Sequence, residues 1–62
     1  MFEQELEILD PLLLEMLKVE FNMVINKNVS PKQRKLIEQA RRKVLKVYIE
    51  LRKAEEEARG NS

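Results

Sequence analysis

The most regular feature of the chain is a repeat of apolar positions in its second half. Ile37, Ala40, Val44, Val47, Leu51, Ala54 and Ala58 follow one another at alternating steps of three and four. That spacing holds one apolar stripe on one side of a helix, facing a partner helix. The stripe begins after a strong start signal. Ser30-Pro31-Lys32-Gln33 reads as a capping box, with Ser at the N-cap, Pro at the first helical position and Gln at the third. Gly60 is the natural stop. The pattern predicts helix two over residues 31–58, with 59–62 frayed.

The first half is patterned differently. On a wheel of 100° per residue, Glu15, Lys18, Asn22 and Asn26 fall on one narrow polar strip. Leu12, Met16, Val19 and Met23 make one apolar ridge, Leu13, Leu17 and Val24 a second, and Leu14, Phe21 and Ile25 a third. This predicts helix one over residues 11–26, with an apolar arc wider than one neighbouring helix covers. Helix one therefore belongs near the centre of a multi-helix assembly.

Asp10-Pro11 reads as the start of that helix. Asp suits an N-cap, Pro suits the first position, and the residue before Pro is pushed away from helical angles. The expectation is a break at Asp10 and a separate helical arm over residues 2–9, with Phe2, Leu6 and Leu9 on one face. The alternative is one bent helix from residue 3 onwards. Asn26-Lys27-Asn28-Val29 forms the connection, its Asn residues suited to left-handed angles. A turn this short implies antiparallel neighbours. At 1.5 Å per residue, helix two is about 42 Å long and helix one about 24 Å. Seam residues beyond Val47 then need a cover, either the arm or a second copy of the chain.

Composition narrows the fold. The 62 residues make one domain at most, and a core this small usually needs a staple. Cysteine is absent, so disulfides are excluded and self-association is the remedy left open. No alternating run bounded by turn residues suggests a strand. The reading is all-α: a helical hairpin of two antiparallel helices plus the short arm, dimerising into a four-helix bundle. The expected oligomer interface uses Leu13, Met16, Leu17, Phe21 and Val24 with Ile37, Ala40, Val44, Val47, Leu51 and Ala54. Both orientations of the subunits are open at this level.

Charge adds a functional lead. The net charge is +1, but residues 1–20 carry −5 and residues 21–62 carry +6. Those halves complement each other across an antiparallel hairpin. On helix two, Lys35, Arg42, Lys46 and Lys53 form a strip away from the seam, and Arg34, Arg41 and Arg52 a second strip nearer to it. Such strips can follow a phosphate backbone. Arg34, Lys35, Arg41, Arg42, Lys46 and Lys53 are thus the candidate polyanion site, with nucleic acid the alternative partner. Leu45 and Ile49, read as lying opposite the seam, are a candidate docking spot for a protein partner.

Catalysis has little to stand on. Histidine, cysteine and threonine are absent, and Ser30 is accounted for as a cap. No Gly-rich loop exists to cradle a phosphate. The carboxylates, including Glu55, Glu56 and Glu57, show no apolar pocket in which acid–base chemistry would be tuned. No catalytic residue, metal ligand or cofactor site is expected. The most apolar run, Leu12 to Ile25, is broken by charges and too short to span a bilayer. Met1 is followed by acids rather than a secretory leader, so the expected location is cytoplasmic. The sequence reads as a small non-enzymatic interaction or regulatory protein that acts through a self-associating bundle.

Overall fold

A computed structural model describes residues 1–60. Two helices, α1 (Glu3–Ile25) and α2 (Pro31–Gly60), pack antiparallel as a hairpin 52 Å long. The all-α hairpin is as the periodicity implies. The frayed tail expected at 59–62 falls partly on residues 61–62, which lie outside the described residues. Arg59 and Gly60 themselves are helical. Gly60 has no positive φ, so it does not act as a left-handed stop.

The expected break at Asp10 is absent. α1 runs unbroken through Pro11, so the stretch expected as a separate arm over residues 2–9 is instead its N-cap, Phe2, and its first two turns. A proline inside a helix removes one backbone bond and costs about 3 kcal/mol. The half-buried residues of α1 show what offsets it. Phe2, Leu6, Leu9, Leu13, Met16, Glu20 and Met23 recur at steps of four and three, a heptad that continues across Pro11 without a shift. Only a continuous helix keeps Phe2, Leu6 and Leu9 on the same side as Leu13. Pro11 is exposed, and it has no amide to donate to the Glu7 carbonyl one turn earlier. The lengthened α1 also covers the part of α2 beyond Val47, which a helix starting at Pro11 would leave bare.

The turn is built by local chemistry. Asn26 caps α1 with extended angles (φ −86°, ψ 113°), and its amide donates to the Asn22 carbonyl. The left-handed angles expected of the Asn residues do not occur. Instead the Asn26 side-chain oxygen accepts from the Asn28 amide at 3.0 Å, and the Asn26 carbonyl accepts from the Val29 amide at 3.2 Å. This is an Asx-turn, the other means by which Asn reverses a chain. The capping box at α2 is complete. The Gln33 amide donates to Ser30 Oγ at 3.2 Å, and the Ser30 amide donates to Gln33 Oε1 at 2.9 Å.

The seam of α2 differs from the stripe read in the sequence. Ile37, Val44 and Leu51 do face α1 and are half-buried. Their companions are Arg41, Tyr48 and Glu55, whereas Ala40 and Val47 are exposed and Ala54 sits at the margin. Ile37, Arg41, Val44, Tyr48, Leu51 and Glu55 also alternate steps of four and three. Two heptads overlap on this helix and share every seventh residue. The apolar one is not the one that closes the hairpin.

Candidate functional site

Two close polar contacts among the described residues tie α2 to α1, one near the turn and one at the open end. Near the turn, Arg41 donates through Nε to Glu20 Oε2 and through Nη2 to Glu20 Oε1 at 3.4 Å. Both side chains are about four-fifths covered. The Glu20 carboxylate hydrogen-bonds the guanidinium and raises the Arg41 pKa above its ordinary value. At the open end, Glu55 is the single buried residue among those described, 8% exposed. Its Oε1 accepts from the Phe2 amide and lies 2.7 Å from the amino group of Met1. Phe2 is the N-cap of α1 and offers no side-chain cap of its own. Glu55 therefore caps α1 from across the hairpin, where a negative charge also meets the positive end of the helix dipole.

The environment of Glu55 shifts its titration. Hydrogen bonds from the Met1 amine and then from the Phe2 amide hold its carboxyl below the usual value, and the same contact raises the amine. Arg59 adds weaker contacts at 3.9 Å to both Glu55 and Glu3. In the sequence Glu55 is one of three consecutive acids, and Glu20 belongs to none of the apolar ridges of the first helix. The signal that finds them is positional. Glu20 is seven residues from Leu13, and Arg41 and Glu55 are each seven from Tyr48. Charges of both signs at seam positions are what an antiparallel pair can match.

The residues beside the seam define the two faces of the hairpin. In an antiparallel pair of right-handed helices, the residue before each seam position falls on one face of both helices. The residue after it falls on the other. Glu3, Glu7 and Asp10 follow seam positions of α1, and Arg52 and Glu56 follow those of α2. These five line one groove with Arg59, as that rule requires.

The groove face changes character towards the turn. Leu14, Leu17, Phe21 and Val24 form an uncovered stripe on α1, with Phe21 67% exposed. Half-buried Leu45 and exposed Ile49 of α2 belong to the same face. Leu45 and Ile49, expected opposite the seam, thus lie beside it. The opposite face carries Ile8, Leu12 and Val19 of α1 with Leu36, Ala40, Val47 and Ala54 of α2, and among these Ile8, Leu36 and Val47 are more than half exposed.

The predicted oligomer interface is thereby divided. Leu13, Met16, Ile37, Val44 and Leu51 are spent inside the hairpin. Leu17, Phe21 and Val24 lie on one face, and Ala40, Val47 and Ala54 on the other. The predicted polyanion residues are divided too. Lys35, Arg42, Lys46 and Lys53 are exposed on the outer side of α2, with Arg42 Nη2 2.7 Å from Glu38 Oε1. Arg34 is exposed, whereas Arg41 is engaged by Glu20. Arg52 lies 6.0 Å from the centre of the Tyr48 ring. Among the described residues no group of three His, Cys, Asp or Glu side chains is placed to hold a metal ion, and no helix is long and apolar enough to cross a membrane.

No protein-family model matches the chain, and no curated protein or solved structure is significantly similar to it.

Proposed function

We propose that the protein is a small non-enzymatic interaction module that works as a self-associated helical bundle. One observation carries this reading. No apolar side chain among the described residues is buried, while large apolar side chains stand exposed on both faces of the hairpin. A two-helix unit leaves much of its apolar surface in water, and contiguous exposed apolar stripes mark interaction sites. Pairing hairpins into a bundle removes one face of each from water. Light scattering tests this, with a mass of two chains and a helical signal that falls on dilution as the expected result. A monomer with full, concentration-independent helicity overturns it.

A second reading has its own support in the outer side of α2. Lys35, Arg42, Lys46 and Lys53 share one exposed strip away from α1, and pairing through the face of Leu36, Ala40, Val47 and Ala54 leaves it accessible. Such a strip suits a phosphate backbone rather than base edges. Fluorescence anisotropy with duplex DNA and structured RNA at two salt concentrations checks it. Binding that weakens steeply with salt, and that is lost in Arg42→Glu with Lys46→Glu, supports the strip as the site. Absence of binding at low salt removes it.

A further inference from the structure

We infer that a second copy of the chain docks on the face of Leu36, Ala40, Val47 and Ala54, with α2 antiparallel to α2 about a two-fold axis through Val47. This rests on the self-association reading and adds to it the face, the orientation and the centre.

The register of the hairpin supplies the first argument. With Phe2 opposite Glu55, stepping along the seam sets Leu6 level with Leu51, Leu9 with Tyr48 and Leu13 with Val44. Val47 is then level with residue 10 of α1. On α2 the apolar residues of this side are spaced evenly about Val47: Ala40 and half-buried Ala54 each lie seven residues away, and Leu36 and Ala58 each eleven. On α1 the residues of the same face are spaced evenly about residue 10: Ile8 and Leu12 each lie two away, and Val19 lies nine away, as does Met1 ahead of the helix. The two helices place the same axis at the same level, although their sequences are unrelated. An axis there sets Val47 on its own copy, Ala40 on Ala54 and Ile8 on Leu12.

Charge agrees. Lys43 and Glu50 occupy the two positions of this face on either side of Val47. The axis brings each Lys43 beside Glu50 of the second copy, twice per dimer. Alanine at two of the central positions lets the α2 axes approach closely. One pairing is unfavourable: Glu5 falls level with Glu15 of the second copy, both exposed where water and salt screen them. A hairpin 52 Å by 16 Å between Cα atoms has a face wide enough, when covered along its length, for the about 800 Å² per partner of a standard stable interface.

The other face fails the same test. Leu14, Leu17, Phe21 and Val24 centre on residue 19, which is level with Glu38. An axis there sets Glu38 on its own copy and Arg34 on Arg42. Turning the second hairpin the other way lays Leu17 and Phe21 over Glu38 and Arg42. Charge thus selects between two faces that are both apolar on α1.

The chain has no cysteine, so a single one reports position without interference. Val47→Cys is exposed in the hairpin and leaves its seam intact. On mild oxidation it is expected to give a disulfide-linked dimer in high yield, because residues on a two-fold axis face their own copies. Phe21→Cys, on the other face, is expected to give little. Lys43→Glu is expected to weaken the dimer about tenfold by placing like charges twice across the interface, and Lys43→Glu with Glu50→Lys to restore it. A wild-type dimer that cross-links through Phe21→Cys and not through Val47→Cys overturns this inference and leaves self-association standing. A wild-type chain that is monomeric at all concentrations overturns both.

Discussion

The two ends of the hairpin are held by different kinds of contact. At the closed end, Ser30 and Gln33 satisfy one another three residues apart, and Asn26 folds the turn through its own side chain. At the open end, the Phe2 amide is satisfied by Glu55, fifty-three residues away. The first set forms as soon as the local chain bends. The second forms only when both helices are complete and in register. A local contact carries little loop-closure cost, and a distant one depends on everything between. The closed end is therefore expected to be the stable half, with hydrogen exchange slower in the first turns of α2 than in the first turns of α1.

Pro11 lies on the weak side of this contrast, and removing it is the largest change expected. Pro11→Ala restores a backbone donor to the Glu7 carbonyl within α1. It should raise stability by up to about 3 kcal/mol, measured by urea unfolding at one fixed protein concentration. The gain should appear as slower exchange at the open end. A destabilised variant would show that the proline is needed to bend α1 onto α2.

Trimming the packing of the open end acts the other way. Leu51→Ala should cost about 1–2 kcal/mol, below the range for fully buried leucines because Leu51 is half-buried. Its exchange effect should be concentrated between Phe2 and Leu9. Ser30→Ala cuts the closed end instead and should cost about 1 kcal/mol. That loss should spread to both helices, since the turn is what holds them as neighbours.

The smallest effect at neutral pH is expected for Glu55→Gln, and its pH dependence is diagnostic. Folding lowers the Glu55 pKa from 4.5, so its contribution is full above that value and fades as pH falls through the lowered one. Folding raises the pKa of the Met1 amine from 8.0, so that part is full below 8.0 and fades as pH rises through the raised value. Wild type should therefore exceed Glu55→Gln in melting temperature between about pH 5 and pH 8. The two curves should converge in acid. Equal curves at every pH would mean that the amide caps α1 as well as the carboxylate does.

Much of this architecture is legible in the chain. The capping box, the Asn-rich turn and the heptad steps mark two antiparallel helices without reference to any contact. Three features escape. Pro11 reads as a boundary because its local cost is visible and the packing of Phe2, Leu6 and Leu9 that offsets it is not. Asp10 before it strengthens the same error. The seam of α2 reads as Ala40, Val47 and Ala54 because apolar residues are assumed to face inward, whereas Arg41, Tyr48 and Glu55 take those places, Arg41 by matching Glu20 and Glu55 by matching the start of α1. The polyanion strip loses Arg41 for the same reason.

The sequence by itself determined that there are two helices, where the chain turns between them, and that α2 carries an apolar heptad. Those are consequences of local hydrogen bonding and of a helical repeat of 3.6 residues. Only the tertiary structure decided which of two overlapping heptads closes the hairpin. An apolar stripe gains free energy against any apolar neighbour, whereas a guanidinium and a carboxylate half-covered at a seam need a particular partner at a particular level. The charged positions thereby fix the register, and the apolar positions they displace are left on the surface.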